Sequence, residues 1–147
     1  MNGINLEINP FAIFAIMNPH FVGPYPDSIE FYNENLKKDI ETTVNGLNIS
    51  LVNTINETEL NGLTITGLIT LVDEIDGFSM SGVSNFAYTL NGVSIAGIYN
   101  RATVAKGLQI GVVNKSTTMK GVQIGLWNIN GRRSFPFINW QFKDRKK

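Results

Sequence analysis

Along most of this chain, apolar and polar side chains alternate in short bursts, each opened by a glycine. Aligned on Gly46, Gly62, Gly77, Gly92, Gly107 and Gly121, the bursts recur at spacings of 16, 15, 15, 15 and 14 residues. One position after each glycine stands Leu47, Leu63, Phe78, Val93, Leu108 or Val122. Two positions further stands Ile49, Ile65, Met80, Ile95, Ile110 or Ile124. Between them sit Asn48, Thr64, Ser79, Ser94, Gln109 and Gln123. A period of two marks a strand with one apolar and one polar face. The simplest reading buries the Leu/Val and Ile rows, stacks Ile95 and Ile110 on each other in the core, and turns the polar row outward.

Each burst closes on an asparagine (Asn53, Asn85, Asn100, Asn114, Asn128), with Thr70 in its place once. A second glycine usually precedes it: Gly67, Gly82, Gly97, Gly111 or Gly125. Glycine permits positive φ or a close backbone approach, and asparagine tolerates the left-handed region, so both mark bends. A weaker second strand follows, with one dependable apolar position two residues before the next glycine: Leu60, Ile75, Leu90, Ala105 and Met119. One such unit cannot bury its face alone. Units stacked about 4.8 Å apart can, and equivalent residues then form ladders. The expected fold is therefore all-β, a β-solenoid of short coils of about 15 residues. The asparagines are expected to line one edge, as turn formers bonded to one another along the ladder. An antiparallel meander or barrel with one hairpin per unit is the alternative, but like residues at like offsets favour parallel stacking.

The flanks read differently. Residues 1–9 (NGINLEIN within them) echo the repeat as a degenerate first coil, and residues 10–44 form an insertion before six repeats over 45–130. In the insertion Asp27 and Glu30 make a capping-box-like start. Ile29, Tyr32, Leu36 and Ile40 follow at helical spacing, predicting one helix at about 28–40. Residues 131–147 bring Phe135, Phe137, Trp140 and Phe142 and a basic tail, read as an aromatic plug over the last coil. The 147 residues make one domain.

Composition then narrows the chemistry. There is no cysteine, so no disulfide framework and no thiolate ligand or nucleophile. The apolar stretch Phe11–Met17 lies between Pro10 and Pro19 and falls short of the roughly 20 residues a spanning helix needs. No basic stretch precedes an apolar run at the N-terminus. That fits a cytoplasmic chain starting at Met1, or a mature form whose export signal is gone. The net charge of zero hides a segregation. Residues 1–100 hold two lysines against eleven acidic residues, and residues 101–147 hold ten Lys and Arg against one aspartate, giving −9 and +9.

Searching for a reactive constellation yields little. His20 is the only histidine and stands outside the repeat, where it makes neither a triad nor a zinc site. Asp73-Glu74-Ile75-Asp76 reads as a solvated turn between coils, not a calcium loop. Gly111 to Ser116 lacks the glycine before its lysine that a phosphate loop has. Three glycosylation triplets, at Asn48, Asn56 and Asn114, are what chance allows in an asparagine-rich chain. No catalytic residue, metal ligand or cofactor is expected.

The units GLQIGVVN and GVQIGLWN, with the closing NGRRSFPFINWQF, resemble the GxQxGxxN repeats of a bacterial surface-repeat family found in spirochaete, myxobacterial and Bacteroidetes proteins. The likeness covers about residues 45–142 and is strongest after Gly92. It implies an exported or surface-associated protein and carries over no catalytic residues. The leading expectation is a non-catalytic structural or interaction module of a bacterial envelope. Its partners would be other copies meeting end to end, or another envelope protein. The alternative is a protein that binds an anionic partner (lipopolysaccharide, membrane headgroups or nucleic acid) through Arg101, Lys106, Lys115, Lys120, Arg132 and Arg133. Of these partners nucleic acid is the least expected, because the charges are spaced out on outward turns. A glycan-acting enzyme is a third, weaker class.

Overall fold

A computed structural model describes residues 2–7, 42–51, 58–131 and 133–143, and nearly all of them are strand. The strands are β1 (Asn2–Glu7), β2 (Thr42–Ser50), β3 (Thr58–Thr66), β4 (Ile69–Ser81), β5 (Ser84–Ala96), β6 (Tyr99–Ile110), β7 (Val113–Asn130) and β8 (Arg133–Gln141). They form one sheet in chain order, parallel from β1 to β7, with β8 antiparallel on β7. Glycine lies on glycine throughout, from Gly3 on Gly46 to Gly107 on Gly121. The protein is a β-solenoid with coils of the length the repeat predicts, and the parallel register excludes the meander. The helix expected at about 28–40 lies outside the described residues.

The interior differs from the sequence reading, and the two faces are exchanged. Asn48, Thr64, Ser79, Ser94, Gln109 and Gln123 are buried, whereas Ile49, Leu63, Ile65, Met80 and Ile124 are exposed and Ile95 and Ile110 half-buried. The reason is parity. Strands β4, β5 and β6 run unbroken through Gly77, Gly92 and Gly107. Side chains alternate along a continuous strand. The row two residues before the glycine therefore shares a face with the row two residues after it, and both oppose the Leu/Val and Ile rows. The solenoid buries the former pair of rows.

One wall of that interior is hydrocarbon. Val44, Leu60, Ile75, Leu90, Ala105 and Met119 stack in register, beside Val72, Ala87 and Ala102. The other wall is a polar ladder. Asn85 Nδ2 donates to Asn100 Oδ1 at 3.2 Å, Asn100 Nδ2 to Asn114 Oδ1 at 2.8 Å, and Asn114 Nδ2 to Asn128 Oδ1 at 2.8 Å. The same amides reach across to the carbonyls of Ile95, Ile110 and Ile124 at 2.7–2.9 Å. Gln123 Nε2 donates to Gln109 Oε1 at 2.9 Å, and Asn139 of β8 donates to Gln123 in turn. Buried amides are tolerable because they are bonded in this way. The asparagines do form the expected ladder, inside the coil.

Glycine at the corner meets two demands at once. Gly92 and Gly107 have φ of 131° and 127°, a backbone that L side chains rarely adopt. In addition, a Cβ on Gly107 would land on the carbonyl oxygen of Gly92. Matching φ values and an inter-rung contact with no room for a methyl explain the repeat's most regular residue.

Candidate functional site

With polar rows inside, the outside of each rung carries the apolar rows. Around one rung the outward residues run Lys106, Leu108, Ile110, Val112, Val113, Lys115; around the next, Lys120, Val122, Ile124, Leu126, Trp127, Ile129. Register extends the rows along the axis. Leu47, Leu63, Phe78, Val93, Leu108 and Val122 align, Ile4 precedes them and Trp140 of β8 follows. Leu6, Ile49, Ile65, Met80, Ile95, Ile110, Ile124 and Ile138 form the second row. A third comprises Leu68, Val83, Ile98 and Val112: the Val83 N–H donates to the Leu68 carbonyl at 2.9 Å, Ile98 to Val83 at 2.8 Å, and Val113, next to Val112, to Ile98 at 2.8 Å. Neighbouring rungs shield one another, so Ile65 is 39 % exposed where Leu6, on the first rung, is 73 % exposed. None of these rows contains a charged residue.

Apart from the buried Asp73, charge in the repeat lies at the remaining outside positions. Glu59 lies on Glu74, Asp76 on Asn61, Lys106 on Lys120, and Arg101 on Lys115. The acidic run expected as a turn is therefore part of strand β4, and Asp73 within it is buried. Asp73 and Tyr88 occupy equivalent positions skipped by the ladder. Tyr88 is buried against Leu71 and Phe86. Burial first, then the Asp73 carboxylate, push its phenol up to about 12, with Arg101 acting the other way.

The five described residues among the six predicted contacts do not form one cluster. Lys106 and Lys120 border one side of the apolar face, and Arg101 and Lys115 border the other. Arg133 is part of the cap: its Nε donates to Asn139 Oδ1 at 3.0 Å, it also bonds the Trp140 carbonyl, and its guanidinium lies 5.3 Å from the Phe135 ring and 5.9 Å from the Trp140 ring. Arg132 and His20 lie outside the described residues. Phe135, Phe137, Trp140 and Phe142 do not plug the coil; all four are exposed. Among the described residues no group of three or more His, Cys, Asp or Glu comes together to hold a metal ion, and no helix is long and apolar enough to cross a membrane.

No family model, curated protein or solved structure matches the chain. Its surface must therefore be judged on its own geometry. What sequence reasoning missed is the apolar face, because the residues that make it had been assigned to the core.

Proposed function

We propose that this protein is a non-catalytic interaction module of a bacterial envelope and that it works through its outer apolar face. The reading rests on one observation: aligned aliphatic rows run the length of the sheet on the outside, free of charge, while the coil seals itself with amides. A monomer seldom leaves so regular an apolar face uncovered unless something binds there. The envelope location rests on the likeness of its repeats to bacterial surface repeats. Changing Ile95, Ile110 and Ile124 together to threonine keeps β-branched residues on the strands and removes the apolar character. Retention on a phenyl matrix should fall in that variant while far-UV circular dichroism stays the same. Equal retention of both proteins would mean that the face is already covered, and would overturn the reading.

A second reading has its own support. Like charges on adjacent rungs, Lys106 on Lys120 and Arg101 on Lys115, repel. Such stacking raises the local positive potential, which favours headgroups, lipopolysaccharide or another polyanion at the C-terminal rungs. Binding through these pairs alone would be abolished by moderate salt.

A further inference from the structure

We infer that the partner is an anionic lipid surface, met by the C-terminal rungs of the apolar face. This rests on the interaction reading above and gives it a partner. Three observations combine. First, on β6 and β7 the face is bordered on both sides by cations, Lys106 and Lys120 along one flank and Arg101 and Lys115 along the other, whereas the first flank carries Asp76 on β4 and Asn91 on β5. An apolar strip between two cationic margins is the arrangement that lets hydrocarbon enter the acyl boundary while ammonium and guanidinium groups meet headgroups. Second, the C-terminal end adds exposed Trp127, Trp140, Phe135 and Phe142 beside Lys143. Trp in particular favours the headgroup level, with its ring in hydrocarbon and its N–H in water. Third, the size is wrong for a second copy. Eight rungs at about 4.8 Å and the three extended residues between the Gly107 corner and the bend at Gly111 and Val112, at about 3.3 Å each, give a flat strip of roughly 34 by 10 Å. That area, about 340 Å², falls well short of the roughly 800 Å² per partner that a standard protein interface buries. A lipid surface sets no such threshold, because it also takes up the flanking side chains.

The test is flotation of the full chain with phosphatidylcholine vesicles, with and without about one third phosphatidylglycerol, at two salt concentrations. The anionic vesicles should carry the protein up and the neutral ones should not, with a blue shift of tryptophan emission on binding. Lys106→Gln with Lys115→Gln takes one cation from each flank without touching the interior, and should weaken binding about thirtyfold, as two near-surface cations contribute. Ile110→Ser with Ile124→Ser should abolish the emission shift. Equal flotation with neutral and anionic vesicles would overturn the inference. So would a chain that ignores vesicles but sediments as a dimer which Ile110→Ser dissociates, although that result would leave the interaction reading standing. A monomer that binds neither vesicle type would overturn the inference and leave the interaction reading to the phenyl-matrix comparison.

Discussion

Asn100 shows what a single residue does in this coil. Its amide donates to Asn114 Oδ1 and to the Ile110 carbonyl, while its Oδ1 accepts from Asn85 and from Ser94 Oγ at 2.8 Å. Removing the side chain strands several buried partners, each at a cost of about 1–3 kcal/mol. Asn100→Ala should therefore lower the urea midpoint sharply. Ser81 is the opposite case. Its hydroxyl is buried without a partner, and the residue in register on the next rung is Ala96. Ser81→Ala should be neutral or stabilising by up to about 1 kcal/mol in the same measurement, since nothing bonded is lost. Leu90→Ala, in the hydrocarbon wall, should cost about 2–5 kcal/mol. Ile110→Ala should cost much less, because Ile110 is on the outside.

At the level of the strand, the repeat was legible and its inside was not. Period, parallel register and the glycine corners all follow from the spacing of Gly46 to Gly121. Which face is buried does not follow, because alternation says only which residues share a side. The deciding clue was present in the offsets. Leu90 and Ser94 are four residues apart and so share a face of any strand that passes through Gly92, which forces Val93 and Ile95 to the other side. That clue is lost once glycine is read as breaking the strand. Gly3 and Gly107 separate the two demands on these corners. Gly3 has φ of 109° but nothing within 4 Å of an added Cβ, whereas Gly107 has both the positive φ and the clash. Gly3→Ala should show only the conformational cost, about 1–2 kcal/mol, and Gly107→Ala should cost clearly more by chemical denaturation. Tyr88, at a position the ladder skips, supplies a pH signature. Its phenol is held neutral up to about 12 in the folded chain against 10.0 when free. A raised value means that the folded state binds the proton more tightly, so this contribution is whole below pH 10 and is lost as pH climbs toward 12. Thermal midpoints should fall across that window, and Tyr88→Phe should flatten the fall.

For the whole molecule the question is why a stack built by repeating one parallel rung should stop. The seven parallel strands present the same backbone template at each step, and any open edge of that template invites another strand. Strand β8 changes the template. It runs antiparallel, carries Pro136, which has no N–H to donate, and holds Arg133 inward on Asn139. Proline and inward charge are the usual means of blunting an edge. A chain ending at Asn130 would instead expose the β7 edge in the register that β7 offers a parallel neighbour. Strand β1 of a second copy, with Gly3, Ile4, Asn5 and Leu6, carries the pattern that fits it. That contact is heterologous and does not close on itself, so growth would be open-ended. Charge would assist, since acidic Glu59, Glu74 and Asp76 lie toward one end and Lys106, Lys115 and Lys120 toward the other. The truncated chain should therefore scatter light and sediment as growing oligomers, fastest at 0.01 M salt, where the Debye length is about 30 Å, and more slowly at 0.1 M, where it is about 10 Å. The intact chain should stay at a fixed size at both concentrations. Identical sedimentation of the two would show that β8 is not what ends the stack.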